Sequence, residues 1–253
     1  DWVLSPLDQS MLASAGTFGM IIGAAFSGIA SDKWGRRKVI LFTLLMYSVG
    51  SFLCGVSSSF TMLVVCRFIT GLGLGGELPA ASTLVSEFSP LKYRGRNVVL
   101  LESFWAWGWI IAALVAYLLI PMYGWRIAFL VGAIPALFAA VLRVMVPESP
   151  RYLDLVGKHQ QADEIVTKME TAAGVVVSDE EKTHLSAIKT SAWKSFAQLW
   201  SKKNLRATLV LWVIWFGINF GYYGFVLWTP SLLVAQGFSL VTSFGFTVIM
   251  CLA

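Results

Sequence analysis

The sequence predicts an all-α membrane protein that crosses the bilayer several times, and three observations carry that prediction. Of its 253 residues, 57% are hydrophobic and only 13% charged, against roughly a quarter charged in a soluble globular domain. The charges gather between apolar runs long enough for a helix to span about 30 Å of hydrocarbon. Lys and Arg are also shared very unequally between alternate connections. A soluble enzyme, a nucleic-acid-binding domain and a disordered chain all fit poorly. The net charge of +5 reads as a signal of orientation rather than of nucleic acid. Cys54, Cys66 and Cys251 all fall inside apolar runs, so neither a disulfide framework nor a metal site is indicated.

Taken in order, six complete spans are predicted: Met11–Ala30, Val39–Ser57, Thr61–Leu84, Val98–Ile120, Ile127–Val146 and Ala207–Trp228. A partial seventh begins near Val241. Its 13 residues to Ala253 make about 20 Å of helix, short of the bilayer core. With no Met and no signal peptide at Asp1, the chain is expected to be a fragment.

The connections set the orientation. Asp32–Lys38 holds four Lys/Arg, Glu87–Arg96 three and Arg143–Arg206 ten, so 17 of 19 lie on one side. The opposite connections hold only Arg126, and Arg67 lies within a span. By the positive-inside bias the basic loops are cytoplasmic and Asp1 is outside. The long connection Pro147–Arg206 divides five closely spaced spans from the later ones. In it, Ser149 and Pro150 read as a helix N-cap and first helical residue, and Ser178–Glu181 as a capping box. Trp193–Leu205 sets Trp193, Phe196, Leu199 and Trp200 on one face beside Lys194, Lys202 and Lys203, the pattern of a helix lying on the inner membrane surface. The middle of the connection reads more readily as a plain connector.

In the first inner loop, Gly28 lets another helix approach closely, and Gly35 allows the tight reversal between helices. Asp32 is an anionic partner for Arg36, Arg37 or a neighbouring helix N-terminus. The Gly28, Asp32, Lys33, Gly35-Arg36-Arg37 spacing resembles the signature loop between the second and third helices of the major facilitator superfamily. Arg67 with Gly71, Gly73, Gly75, Gly76 and Glu77 resembles its fourth helix. Glu87 to Arg96 and Pro147-Glu148-Ser149-Pro150-Arg151 resemble inner-loop motifs of its sugar-porter branch, and Gly124-Trp125-Arg126 before Phe129 is similar to its entry into helix six.

The resemblance covers the whole chain and implies a partial major facilitator bundle, from just before helix two into helix eight of a twelve-helix transporter. On that basis residues 1–146 are expected to be an N-terminal transmembrane bundle lacking its first helix. Residues 147–206 are then a cytoplasmic inter-bundle loop with short helices, and 207–253 the truncated start of the C-terminal bundle. The resemblance also implies that Glu87, Arg94, Glu148 and Arg151 match a cytoplasmic charge network that locks the two halves in the outward-open state, with Asp32 and Arg36 as the signature-loop pair. A network made in one conformation and broken in the other biases the equilibrium between them.

Ionisable residues inside spans are costly and are functional candidates: Arg67, Glu77 and Glu102. Arg67 and Glu77 are ten residues apart, about 15 Å of helical rise, and are not direct partners. The glycines between them leave a smooth face for close, sliding packing, and Pro79 either breaks or kinks the helix. Trp105 and Trp109 follow Glu102 at i+3 and i+7, on its face, whereas Trp107 lies off it. In the sugar-porter pattern the position of Glu102 faces the central cavity, so Glu102, Trp105 and Trp109 are substrate-binding candidates.

The last full span adds Trp212, Asn219 and Tyr222 to those candidates, in a helix interrupted by Gly217, Gly221 and Gly224; such interrupted helices are where transporters build sites. The paired glutamines of sugar porters are absent from this span, which argues against a hexose. Tyr222-Tyr223-Gly224 to Trp228-Thr229-Pro230, with Gly75-Gly76-Glu77, resembles the nicotinate-permease and organic-ion branch.

The resemblance thus implies a secondary transporter of the cytoplasmic membrane, a monomer when complete, working by alternating access on a small aromatic or carboxylate metabolite. A proton would move with the substrate through Glu77 or Glu102, and Arg67 would balance an anion or serve structure. Its partners are substrate, protons, membrane lipid and the remainder of its own chain, with no cofactor, metal or nucleic acid. The alternatives are an organic-cation carrier using Glu102 and the indoles by cation–π contact, a sugar carrier of the same fold, and a non-transporting receptor or scaffold. An enzyme is least expected: His159 and His184 are the only histidines, and both lie in the inner loop.

Overall fold

The computed structural model describes residues 4–174, 197–239, 245–246 and 249. Its helices are α1 (Pro6–Trp34), α2 (Arg36–Gly55), α3 (Phe60–Phe88), α4 (Arg94–Tyr123), α5 (Arg126–Val131), α6 (Phe138–Met145), α7 (Pro150–Leu155), α8 (His159–Ala173) and α9 (Leu205–Ala235), with a 3₁₀ turn at Ile134–Leu137. Among the described residues, five stretches are long and apolar enough to cross a membrane: α1 to α4, and Leu205–Gly224 within α9. Ser178–Glu181, His184, Cys251 and most of the seventh span lie outside the described residues. Of the expected surface helix, 197–199 are helical and turns follow until α9 begins at Leu205, while 193–196 are not described.

Local chemistry sets the helix ends. Ser5 and Asp8 cap α1 reciprocally, Asp8 N–H donating to Ser5 Oγ at 3.2 Å and Ser5 N–H to Asp8 Oδ2 at 3.0 Å, with Pro6 at the first position. Gly35, at φ +97°, makes the whole connection between α1 and α2. Ser59 caps α3 by accepting from Met62 N–H at 3.2 Å, and Ser149 caps α7 by accepting from Tyr152 N–H at 3.1 Å, with Pro150 next.

Two proline outcomes differ. The span expected as one helix over Ile127–Val146 is instead α5, a 3₁₀ turn and α6 in succession. Pro135 is the cause: its ring collides with the carbonyl four residues back, which belongs to Val131, the last residue of α5. Pro79, by contrast, leaves α3 continuous from Phe60 to Phe88.

The chain forms two units. The first holds residues 1–102 and 125–187, and the second 103–124 and 188–253. In the first, α3 packs against both α1 and α2. The α1–α3 contact is backbone on backbone. A Cβ on Gly19 or Gly23 would overlap the Phe68 or Leu72 carbonyl of α3, and one on Gly71 or Gly75 would overlap the Gly16 or Met20 carbonyl of α1. The smooth face expected to let helices slide is an interlocked seam, because glycines on both helices seat the opposite backbone. Beside it, Cys54, Leu63 and Cys66 are buried with Leu12, Trp125 and Phe129 around them. In the second unit, the later part of α4 and α9 bring aromatic side chains together.

Candidate functional site

Among the described residues, a polar cluster forms where α1 ends, α2 begins and α7 returns. Arg36 is 5% exposed, and its Nη2 lies 3.1 Å from both Asp32 Oδ1 and Glu87 Oε1. Its Nη1 donates to the Ser31 carbonyl at 3.2 Å, and its guanidinium sits 5.6 Å from the centre of the Tyr152 ring. One planar fork thus ties together α1, α3 and α7, a geometry lysine cannot reproduce. The partners differ in exposure: the Glu87 side chain is 8% exposed and that of Asp32 79%. Glu148 does what an acid does at a helix N-terminus, its Oε1 accepting from Arg37 N–H of α2 at 3.1 Å and from Ser149 N–H at 3.0 Å. Tyr152 closes the cluster by donating its hydroxyl to the Lys33 carbonyl at 3.2 Å.

Of the six residues expected in the gating network, the structure joins Asp32, Arg36 and Glu87 directly and places Glu148 beside them at Gly35 and Arg37. Arg94 and Arg151 are exposed and make no ion pair among the described residues. Tyr152, the residue after Arg151, had no role in the reading of the sequence. Its two contacts span more than 100 residues of chain, which local spacing does not reveal.

Within the membrane-spanning part, the Arg67 guanidinium lies 5.6 Å from the Phe129 ring centre, and its Nη2 faces Gly16 of α1. Its buried Nε has no hydrogen-bond partner among the described residues. Glu77 is half-buried on α3, within electrostatic reach of Tyr47 on α2, and Tyr47 packs against Gly73 one turn earlier. Tyr47 is a neighbour that sequence reasoning did not name.

In the second unit, the Trp109 ring meets Tyr222 edge-on at 5.9 Å and Tyr223 at 6.5 Å, and the two tyrosines meet each other at 5.9 Å. Rings in these T-shaped arrangements present both edges and faces to a neighbour. The other candidates stand apart from this trio. Trp212 pairs with Trp200 at 5.6 Å, the Asn219 amide donates back to the Trp215 carbonyl of its own helix at 2.8 Å, and Trp105 is exposed. Glu102 is half-buried at the last position of the first unit. No group of three or more metal-ligating side chains occurs among the described residues.

Comparison with known proteins gives these features a context. The sequence pattern of a family described as "Sugar (and other) transporter" matches residues 4–252. The chain is 49% identical over 253 residues to the niacin transporter NiaP of Acinetobacter baylyi, covering 100% of this chain and 57% of that protein. It is 30% identical over 255 residues to the benzoate transport protein of the same organism, covering 97% of this chain and 54% of the other. Among solved structures, it is similar to the major facilitator proton:xylose symporter XylE bound to 6-bromo-6-deoxy-D-glucose, with TM-score 0.60 and 25% identity over 68% of this chain and 43% of that one. The chain therefore spans about half the length of the curated relatives it matches. With the family pattern running almost from end to end and the helical architecture shared, this multi-pass membrane chain belongs to the sugar (and other) transporter family of the major facilitator superfamily, a family of transporters and not of enzymes.

Proposed function

We propose that the complete protein is a secondary transporter of the cytoplasmic membrane, working as a monomer and moving a small aromatic or carboxylate metabolite by alternating access with a proton. The observation that carries this reading is the 49% identity to a niacin transporter across the whole chain. Niacin and benzoate, named for two relatives, are both flat rings bearing a carboxylate. The Trp109, Tyr222 and Tyr223 rings are the kind of surface on which such a ring packs. Glu102, Trp105, Trp212 and Asn219 are the other proposed substrate contacts.

In this reading the Arg36 cluster is the cytoplasmic gate. Asp32, Glu87 and Glu148 hold it on this half, while the exposed Arg94 and Arg151 are available to acids on the other. Glu77 and Glu102 are the proton carriers, and Arg67 serves mainly to fix α3 against α1. Uptake by cells expressing the complete protein tests the coupling: a protonophore should abolish accumulation, and Glu77→Gln with Glu102→Gln should do the same. Accumulation untouched by either would remove the proton from the mechanism.

One observation favours a second reading. Two carboxylates inside spans and a trio of rings also suit an organic cation held by charge and cation–π contact. Competition by matched panels of organic anions and cations separates the two. Saturable binding with no flux would instead favour a receptor.

A further inference from the structure

The cytoplasmic rim of the first unit divides its charges by direction. Its acids are engaged: the nearly buried Glu87 and the exposed Asp32 both by Arg36, and Glu148 by two backbone N–H groups. Apart from Arg36 and Arg37, its bases face outward. Residues 91–96, which lead from α3 into the first turn of α4, are all exposed, as is Lys33 in the last turn of α1. Lys33, Lys92, Arg94 and Arg96 form no ion pair among the described residues.

Apolar groups accompany these bases. Leu91 is 83% exposed, and Tyr93 and Trp34 are exposed in the same unit. The Lys92 ammonium lies 5.4 Å from the Tyr93 ring centre, and that of Lys33 lies 6.0 Å from the Trp34 ring. An aromatic ring carrying a lysine suits the headgroup layer, with the ring in the interface and the amine reaching phosphate. Arg94 and Arg96 also sit in the first turn of α4, with no acid there, where the positive end of the helix disfavours cations. An external anion relieves that conflict, and the positive-inside orientation puts the anionic leaflet on this side.

We propose that this rim binds anionic phospholipid headgroups of the cytoplasmic leaflet. Leu91, Tyr93 and Trp34 enter the interface, and Lys33, Lys92 and Arg96, joined by Arg94 when the gate is open, take the phosphates. The proposal is independent of the transported substrate. The test is native mass spectrometry of the full-length protein titrated with phosphatidylglycerol or with phosphatidylcholine of the same acyl chains. The wild type should retain phosphatidylglycerol in preference, and Lys33→Gln with Lys92→Gln should weaken that retention about fivefold for each lysine removed. Lys92→Gln, Arg94→Gln and Arg96→Gln together should weaken it further. If the triple variant fails to fold, the double variant decides, since it leaves the Arg36 cluster and the first turn of α4 untouched. Equal retention of the two lipids by the wild type, or unchanged retention by the double variant, overturns the proposal. Full displacement of phosphatidylglycerol by millimolar inorganic phosphate overturns the assignment to lipid.

Discussion

The carboxylate of Glu148 fills the space beside Gly35. Its Oε1 accepts the Arg37 N–H at 3.1 Å, and its Oε2 lies so near Gly35 that an added Cβ would overlap it. The glycine is therefore required twice, by its φ of +97° and by the acid that caps α2. Gly35→Ala should lower the apparent unfolding temperature of the full-length protein in detergent, reflecting a cost of about 1–3 kcal/mol for the strained backbone before the displaced carboxylate is counted. A thermal melt unchanged from the wild type would show that the turn tolerates a side chain.

The two carboxylates on Arg36 should behave differently. Glu87→Ala removes the buried partner of a buried guanidinium and leaves it only Asp32 and the Ser31 carbonyl, and breaking a buried pair costs up to about 3–5 kcal/mol. Asp32→Ala removes a partner whose side chain is 79% exposed, and pairs of that kind contribute about 1 kcal/mol or less. Parallel thermal melts should rank Glu87→Ala well below Asp32→Ala. The reverse order would mean that the Asp32 contact with α1, not the Glu87 contact with α3, is the one that anchors Arg36 of α2.

The α1–α3 seam predicts a sharp intolerance of single methyl groups. A Cβ on Gly23 or Gly75 overlaps backbone of the opposite helix rather than a movable side chain, so the helices must separate to admit it. Gly23→Ala and Gly75→Ala should each reduce the yield of monodisperse protein and its melting temperature. Wild-type behaviour of both would show that the seam opens freely.

The local chemistry of this architecture is written in single stretches of sequence, and its long-range contacts are not. Ser149 before Pro150, the Asp32 and Arg36 spacing and the apolar runs that became α1 to α4 are all short-range signals, and the structure carries each. Pro135 was equally visible, yet hydropathy alone joins the residues around it into one span, because an apolar pattern does not register a missing N–H. Glu87 and Glu148 stood in recognisable motifs, but their convergence on α2 follows from how α3 and α7 fold back across it. Tyr47 and Tyr152 carried no signal of their own, since their roles arise from packing between helices. The spacing of Trp105 and Trp109 after Glu102 describes one face of α4 but not which rings meet it, and the structure pairs Trp109 with Tyr222 while Trp212 pairs with Trp200.

That pairing yields a kinetic prediction. Trp109→Ala removes a ring at the centre of the trio and should raise the KM for an aromatic substrate about tenfold, the loss of roughly 1.4 kcal/mol of ring contact. Trp107→Ala, at a position 60% exposed and off that face, should leave KM unchanged. Equal effects from the two substitutions would remove the trio from the substrate site.

The most direct measurement is flux of radiolabelled niacin into proteoliposomes containing the purified full-length protein, with a proton gradient imposed inward and then collapsed by a protonophore. Accumulation above equilibrium that depends on the gradient, and that benzoate but not xylose suppresses, is the expected result. Saturable binding of niacin without movement into the vesicle lumen would contradict it and make the protein a receptor on a transporter's fold.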